Sequence, residues 1–142
     1  MMDITLVQAN IIISAALKDA DARGFKPLTI VVLDRGGHVV AAARQDGAAN
    51  KRFEIAHGKA HGAVSLGMGS RALMNRAETQ GYFIDAATHA IGSLVPVPGG
   101  VLVHDENDRL IGAVGVSGDI SDNDEIVAIV GIEQAGLKAV TG

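Results

Sequence analysis

The chain has 142 residues, 48% of them hydrophobic and 20% charged, which is material for one packed domain and excludes a disordered chain. A net charge of −4, with three Phe, one Tyr and no Trp, argues against nucleic acid, which needs a basic footprint or aromatic platforms, and against anionic membranes. The absence of cysteine removes disulfides, thiolate nucleophiles, zinc ribbons, iron–sulfur clusters and covalent haem attachment.

The start, Met1 to Leu6, has no basic n-region, and the apolar stretch after it is broken by Gln8, Asn10 and Ser14. No run reaches the roughly 20 apolar residues of a membrane span. The expected location is cytoplasmic.

From Asp3 or Thr5 to Arg23 the polar positions recur every three or four residues opposite Leu6, Ile13, Ala16, Leu17 and Ala20, so a long first helix is predicted, stopped by Gly24 and Pro27. Leu28 to Leu33 and His38 to Arg44 are apolar runs joined by Asp34-Arg35-Gly36-Gly37, a hairpin. A second helix is predicted over Ala49 to Gly69 and a shorter one over Ser70 to Thr79. Gln80 to Ser93 is ambiguous, with a helix ending near Gly92 as one reading. Val101 to His104 and Leu110 to Ser117 form a second hairpin. Its second strand is apolar on both faces and carries Gly112 and Gly115, with Gly118 just after it, which suits a central strand in close contact with something. Asp122 and Glu125 are spaced as a capping box for a last helix over Ile126 to Val140. The expected fold class is α+β, an antiparallel sheet layered with helices in a single domain over 1–142.

Glu54-x-x-His57-x-x-x-His61 places a carboxylate and two imidazoles on one helical face, and a His pair at i and i+4 can chelate a divalent metal. Gly58 and Lys59 follow the first His where a zinc protease has Glu, which excludes that class. The plain alternative is a pair of partly exposed or interface histidines. Lys59 points away from both histidines and could meet a ligand's carboxylate. Gly58 and Gly62, one turn apart, permit a backbone or a flat ligand to lie against the helix, with a helix-to-helix contact as the plain reading. Gly99 and Gly100 after Pro98 could offer backbone N–H groups to an anion. Asp119, Asp122, Asp124 and Glu125 fit the positive end of the last helix, or a calcium ion without EF-hand spacing. Arg71 reads as an anion clamp or a surface charge. No serine has the G-x-S-x-G context of a nucleophile elbow.

Val31 to Val40, Gly58-Lys59-Ala60, Pro98-Gly99-Gly100, Gly112 to Gly118 and Asp122-x-Asp124-Glu125 resemble, in order, the GlcG/HbpS family of haem-binding proteins, which includes the C-terminal domain of PduO-type corrinoid adenosyltransferases. The resemblance implies a profilin-like α/β/α sandwich with a five-stranded antiparallel sheet, assembled into homo-oligomers, often octamers. With four strands read from the residues, the fifth is expected from the ambiguous segment or from a split run. The resemblance also implies non-covalent haem binding, with haem or iron sensing in some members and accessory roles in catabolic operons. Axial-ligand candidates are His57 and His61 first, then His38, His89, His104, the four Met and Tyr82, with Lys59 and Arg71 as propionate partners. The alternative is a small cofactor-independent isomerase or hydrolase of carboxylate or aromatic catabolism. There Lys59 or Arg71 holds an anion, the Gly99 and Gly100 amides stabilise charge, and His61 or Glu54 moves protons.

Overall fold

Thr5 opens the first helix, α1 (Leu6–Arg23), through a capping box in which its hydroxyl accepts from Gln8 N–H and the Gln8 side chain accepts from Thr5 N–H. Gly24 closes it in the left-handed region at φ 72°, where its N–H reaches the Ala20 and Asp21 carbonyls. The computed structural model describes residues 3–142. The chain continues through β1 (Thr29–Asp34), β2 (Val39–Arg44), α2 (Arg52–Leu66), α3 (Ser70–Thr79), α4 (Gly81–Ile91), β3 (Gly100–His104), β4 (Leu110–Ser117), α5 (Ser121–Gln134) and β5 (Lys138–Val140). The ambiguous segment is therefore a helix, ended by Gly92.

The five strands form one antiparallel sheet in the order β2-β1-β4-β3-β5. β4 is its centre, as its two apolar faces require. On one face α1 and α5 bury Ile12, Ala16, Ile30, Val32, Val114, Val116, Ala128 and Ile132. On the other, α2 buries Val31, Leu33, Ala56, Ala60, Ala63, Leu102 and Ala113. The result is an α+β sandwich of three layers, with α3 and α4 gathered round Leu73, Ile84, Ala87 and Leu94 beside α2.

Two sequence expectations fail at the C-terminal end. The fifth strand comes not from Gln80 to Ser93 but from the end of the run Ile126 to Val140, a run expected to be helix throughout. The last helix stops at Gln134, Gly136 turns the chain at φ 76°, and Lys138 to Val140 pair with β3. The Asp122/Glu125 capping box is also absent: α5 begins at Ser121 after Ile120, with no side-chain cap. Both carboxylates reach Arg71 instead, which binds them with a full charge where a box would offer amides.

Candidate functional site

α2 carries two polar faces. On the first, Phe53, His57 and His61 recur at every fourth residue and their rings stack, with centroids 5.8 Å and then 5.2 Å apart. Residues 93–95 cross this helix, and Gly58 and Gly62 make the crossing close. A Cβ on Gly58 would fall 2.5 Å from Val95 Cγ2, and one on Gly62 would fall 2.7 Å from Leu94 Cγ. The two glycines thus admit the backbone of a crossing segment, one of the close approaches their spacing suggested, in place of a helix or a flat ligand. Val95 N–H donates to the Gly58 carbonyl and fixes the crossing.

The crossing segment orients both imidazoles. The Ser93 carbonyl lies 2.9 Å from His61 Nδ1, and a carbonyl can only accept, so Nδ1 carries the proton. In the neutral ring Nε2 is then left with its lone pair. Ser93 Oγ lies 3.1 Å from His57 Nδ1. At the far edge of His61, Gly37 sits at φ 83°, and a Cβ there would stand 3.1 Å from Cδ2 and 3.4 Å from Nε2. Glycine here keeps a side chain from crowding that edge of the ring. His38, near this turn, is exposed and held by Asp34, whose carboxyl lies below its ordinary value through hydrogen bonds from His38 and Gly36 that outweigh its desolvation.

Glu54 does not join the two histidines. It is 58% exposed and faces Lys51 at 3.8 Å. Among the described residues no three His, Asp or Glu side chains are grouped to hold a metal ion, so the expected Glu54–His57–His61 set is not assembled. The same holds for calcium at the acidic corner. Asp119 accepts from the Lys26 and Ile120 amides and from Asn123, while the other three carboxylates there face cations.

The second polar face of α2 points into the sheet. Lys59 is 2% exposed, and its Nζ donates to the Val116 carbonyl at 2.9 Å and to Asp124 at 3.1 Å. Burial pushes the Lys59 ammonium down and the Asp124 carboxyl up, each against the attraction of its partner. Gly99, at φ 124°, and Gly100 close over this pair: a Cβ on Gly100 would stand 2.3 Å from the Lys59 carbonyl oxygen. Gly100 N–H is already used, donating to Ser70 Oγ at 2.7 Å. The motifs Gly58-Lys59-Ala60, Pro98-Gly99-Gly100, Gly112 to Gly118 and Asp122-x-Asp124-Glu125 thus converge on one buried polar knot.

That convergence corrects the anion-binding expectations. Lys59 is enclosed with Asp124, and Gly100 has given its amide to Ser70. Arg71 is clamped by Asp122 at 2.6 Å and Glu125 at 3.1 Å, contacts that hold its guanidinium pKa above the ordinary value. Lys59 and the Gly100 amide are thus enclosed with partners of their own, and Arg71, part-exposed, already faces two carboxylates. Ser93 and Gly37 are the functional neighbours that sequence reasoning misses. Phe53 has a signal, its spacing from His57 and His61.

A family model described as haem degrading protein HbpS-like matches residues 4–133. The chain belongs to the HbpS-like family. Among solved structures, Klebsiella pneumoniae protein ORFY superposes with a TM-score of 0.85 at 27% identity, covering 96% of this chain and 92% of that one. A double mutant of Streptomyces reticuli HbpS gives 0.79 at 28% identity, over 94% and 87% of the two chains. A PduOC–heme complex gives 0.85 at 21% identity and 99% of both, a likeness of fold alone. No curated protein matches the chain. No helix among the described residues is long and apolar enough to cross a membrane.

The histidine face of this HbpS-like chain is acid-sensitive by construction. Burial, and then the charge of His61, hold His57 below its ordinary value of 6.5. As pH falls the unfolded chain takes the proton first. The stability contributed by neutral His57 is therefore full above about 6.5, declines as pH falls through the lower folded value, and is gone below it. Thermal midpoints of the haem-free protein, followed from about pH 7.5 to 5, should fall with acid, and fall less for His57→Gln. Identical slopes for the two proteins would contradict this origin.

Proposed function

We propose that this protein binds haem non-covalently through His61 Nε2, with His57 and Phe53 as the stacked support behind the ligand. The reading is carried by one observation: Nδ1 of His61 is committed to the Ser93 carbonyl, which leaves the lone pair on Nε2, at the ring edge that Gly37 meets without a side chain. The residues suit the group. A half-buried imidazole with its other nitrogen hydrogen-bonded is a good haem ligand, and the chain has no cysteine to compete. Haem, when bound, supplies an iron that accepts this nitrogen. The chain's own part is to fix the tautomer, hold the ring plane through the stack and keep the neighbouring imidazole neutral.

Membership of the HbpS-like family supports the haem reading, as does the haem held by a protein of the same fold. With Lys59 buried against Asp124 and Arg71 paired with Asp122 and Glu125, propionates are left to solvent or to other cations, which fits a haem carrier or sensor that loads and releases. We take the protein to be a non-catalytic, cytoplasmic accessory protein that acts as a single-domain homo-oligomer. Exposed Leu6, Val7 and Ile11 on α1 and Tyr82 on α4 offer apolar surface for such assembly.

Hemin titration followed at the Soret band tests the reading. The wild-type chain should give a saturable shift, and His61→Ala should abolish it. His57→Ala, which removes support and spares the ligand, should weaken binding by about tenfold or more. A shift unchanged in His61→Ala would overturn the assignment.

A further inference from the structure

On the sheet side of α2, away from the histidine rings, lies a corner that haem binding does not use. The α2 backbone rests on β4 at Gly115, where a Cβ would stand 2.0 Å from the Ala56 carbonyl oxygen. Arg52 lies one turn before Ala56, and Ser117 lies two residues beyond Gly115 on the same sheet face. The two meet, Arg52 Nη1 donating to Ser117 Oγ at 3.1 Å. Thr29 is the register partner of Ser117 on β1, and strand alternation puts it on the α2 face with Val31 and Leu33. Thr29 is 1% exposed, and its Oγ1 is the one buried side-chain nitrogen or oxygen among the described residues without a hydrogen-bond partner. Leaving such a hydroxyl unpaired costs about 1–3 kcal/mol.

The charge at this corner is also unmatched. Lys59, on the same side of α2, has Asp124, whereas Arg52 is half-buried with no carboxylate at ion-pair distance among the described residues. No side chain caps the start of α2, whose first-turn amides add partial positive charge. Glu54, in that first turn, is drawn outward by Lys51. A cationic fork, two hydroxyls on register partners and a helix N-terminus thus lie at this corner, and among the described residues no carboxylate pairs with Arg52.

We infer that this corner binds a small carboxylate, gripped by the Arg52 guanidinium and hydrogen-bonded by the Ser117 and Thr29 hydroxyls. The planar guanidinium pairs with a planar carboxylate through two parallel hydrogen bonds, a match that a halide lacks. The site is separate from the haem face and stands or falls without it.

Acetate, titrated into the haem-free protein at ionic strength held constant with chloride, is the probe. Expected are a saturable rise in thermal midpoint and amide NMR shifts centred on Thr29, Arg52 and Ser117. Arg52→Gln should weaken acetate binding by about tenfold or more, and Thr29→Val by about three- to tenfold. Thr29→Val keeps the shape and removes only the unpaired hydroxyl, so it should fold at least as stably as the parent without acetate and still respond less to it. Acetate acting no differently from chloride, phosphate alone producing the shifts, or Thr29→Val responding like the parent would each overturn the proposal.

Discussion

Lys59→Met should destabilise the fold by about 3–5 kcal/mol, and Asp124→Asn by a similar amount, because each leaves a charge stranded where its partner stood. Both side chains are almost wholly enclosed, at 2% and 1% exposure, beneath Gly99 and Gly100. Burial already outweighs attraction for both, holding the ammonium pKa down and the carboxyl pKa up. The pair is therefore costly to break and of small net benefit intact. Lys59→Met combined with Asp124→Asn removes both charges while an amide oxygen can still accept from the Asp119 N–H that Asp124 Oδ1 now serves. The double variant should recover a coupling energy of about 1–3 kcal/mol relative to the sum of the singles. Urea unfolding of the four proteins measures this, and strictly additive losses would contradict a charge-coupled knot.

Gly115→Ala should cost more than about 3 kcal/mol, beyond the usual range for one added methyl group. The new Cβ would lie 2.0 Å from the Ala56 carbonyl oxygen and 3.0 Å from Ala60 Cβ. The obstruction is backbone, so no rotamer change relieves it, and α2 must lift from the centre of the sheet. The α2 side of the core moves with it, since Val31, Leu33, Leu102 and Ala113 pack in one cluster with Ala56, Ala60 and Ala63 of that helix. Gly81→Ala is the matched control. Nothing lies within 4 Å of a Cβ at that position and its φ is ordinary, so the change should be neutral or stabilising by about 0.4–1 kcal/mol. Equal effects at the two sites, measured by thermal and urea unfolding, would contradict the close approach of α2 to β4.

Most of the architecture was readable because local rules and tertiary packing agree. Thr5, Gly24 and Pro27 bracket α1, and two apolar faces with small residues mark β4 as the sheet's centre. Reading failed where a distant residue outbid a local one. Asp122 and Glu125 have capping spacing, but Arg71, about 50 residues earlier in the chain, offers a stronger bond than the helix amides. Leu137 to Val140 continue the apolar character of α5, so only Gly136 signals that the chain turns into a strand. At the site, helical spacing correctly put His57 and His61 on one face and turned Lys59 away from them. It could not show that Ser93 would cross α2 and choose the His61 tautomer, or that Asp124 would be waiting on the other side. Those partners lie 32 and 65 residues away in sequence.

Ligand identity at the haem iron is the most direct test of the account. Haem-loaded wild type should show the absorption and magnetic spectra of iron bound by a neutral imidazole. His61→Ala should lose that signature and regain it when free imidazole fills the space beside Gly37, while His57→Ala should keep it without addition. An imidazole signature that persists in His61→Ala with no imidazole added would contradict the central claim.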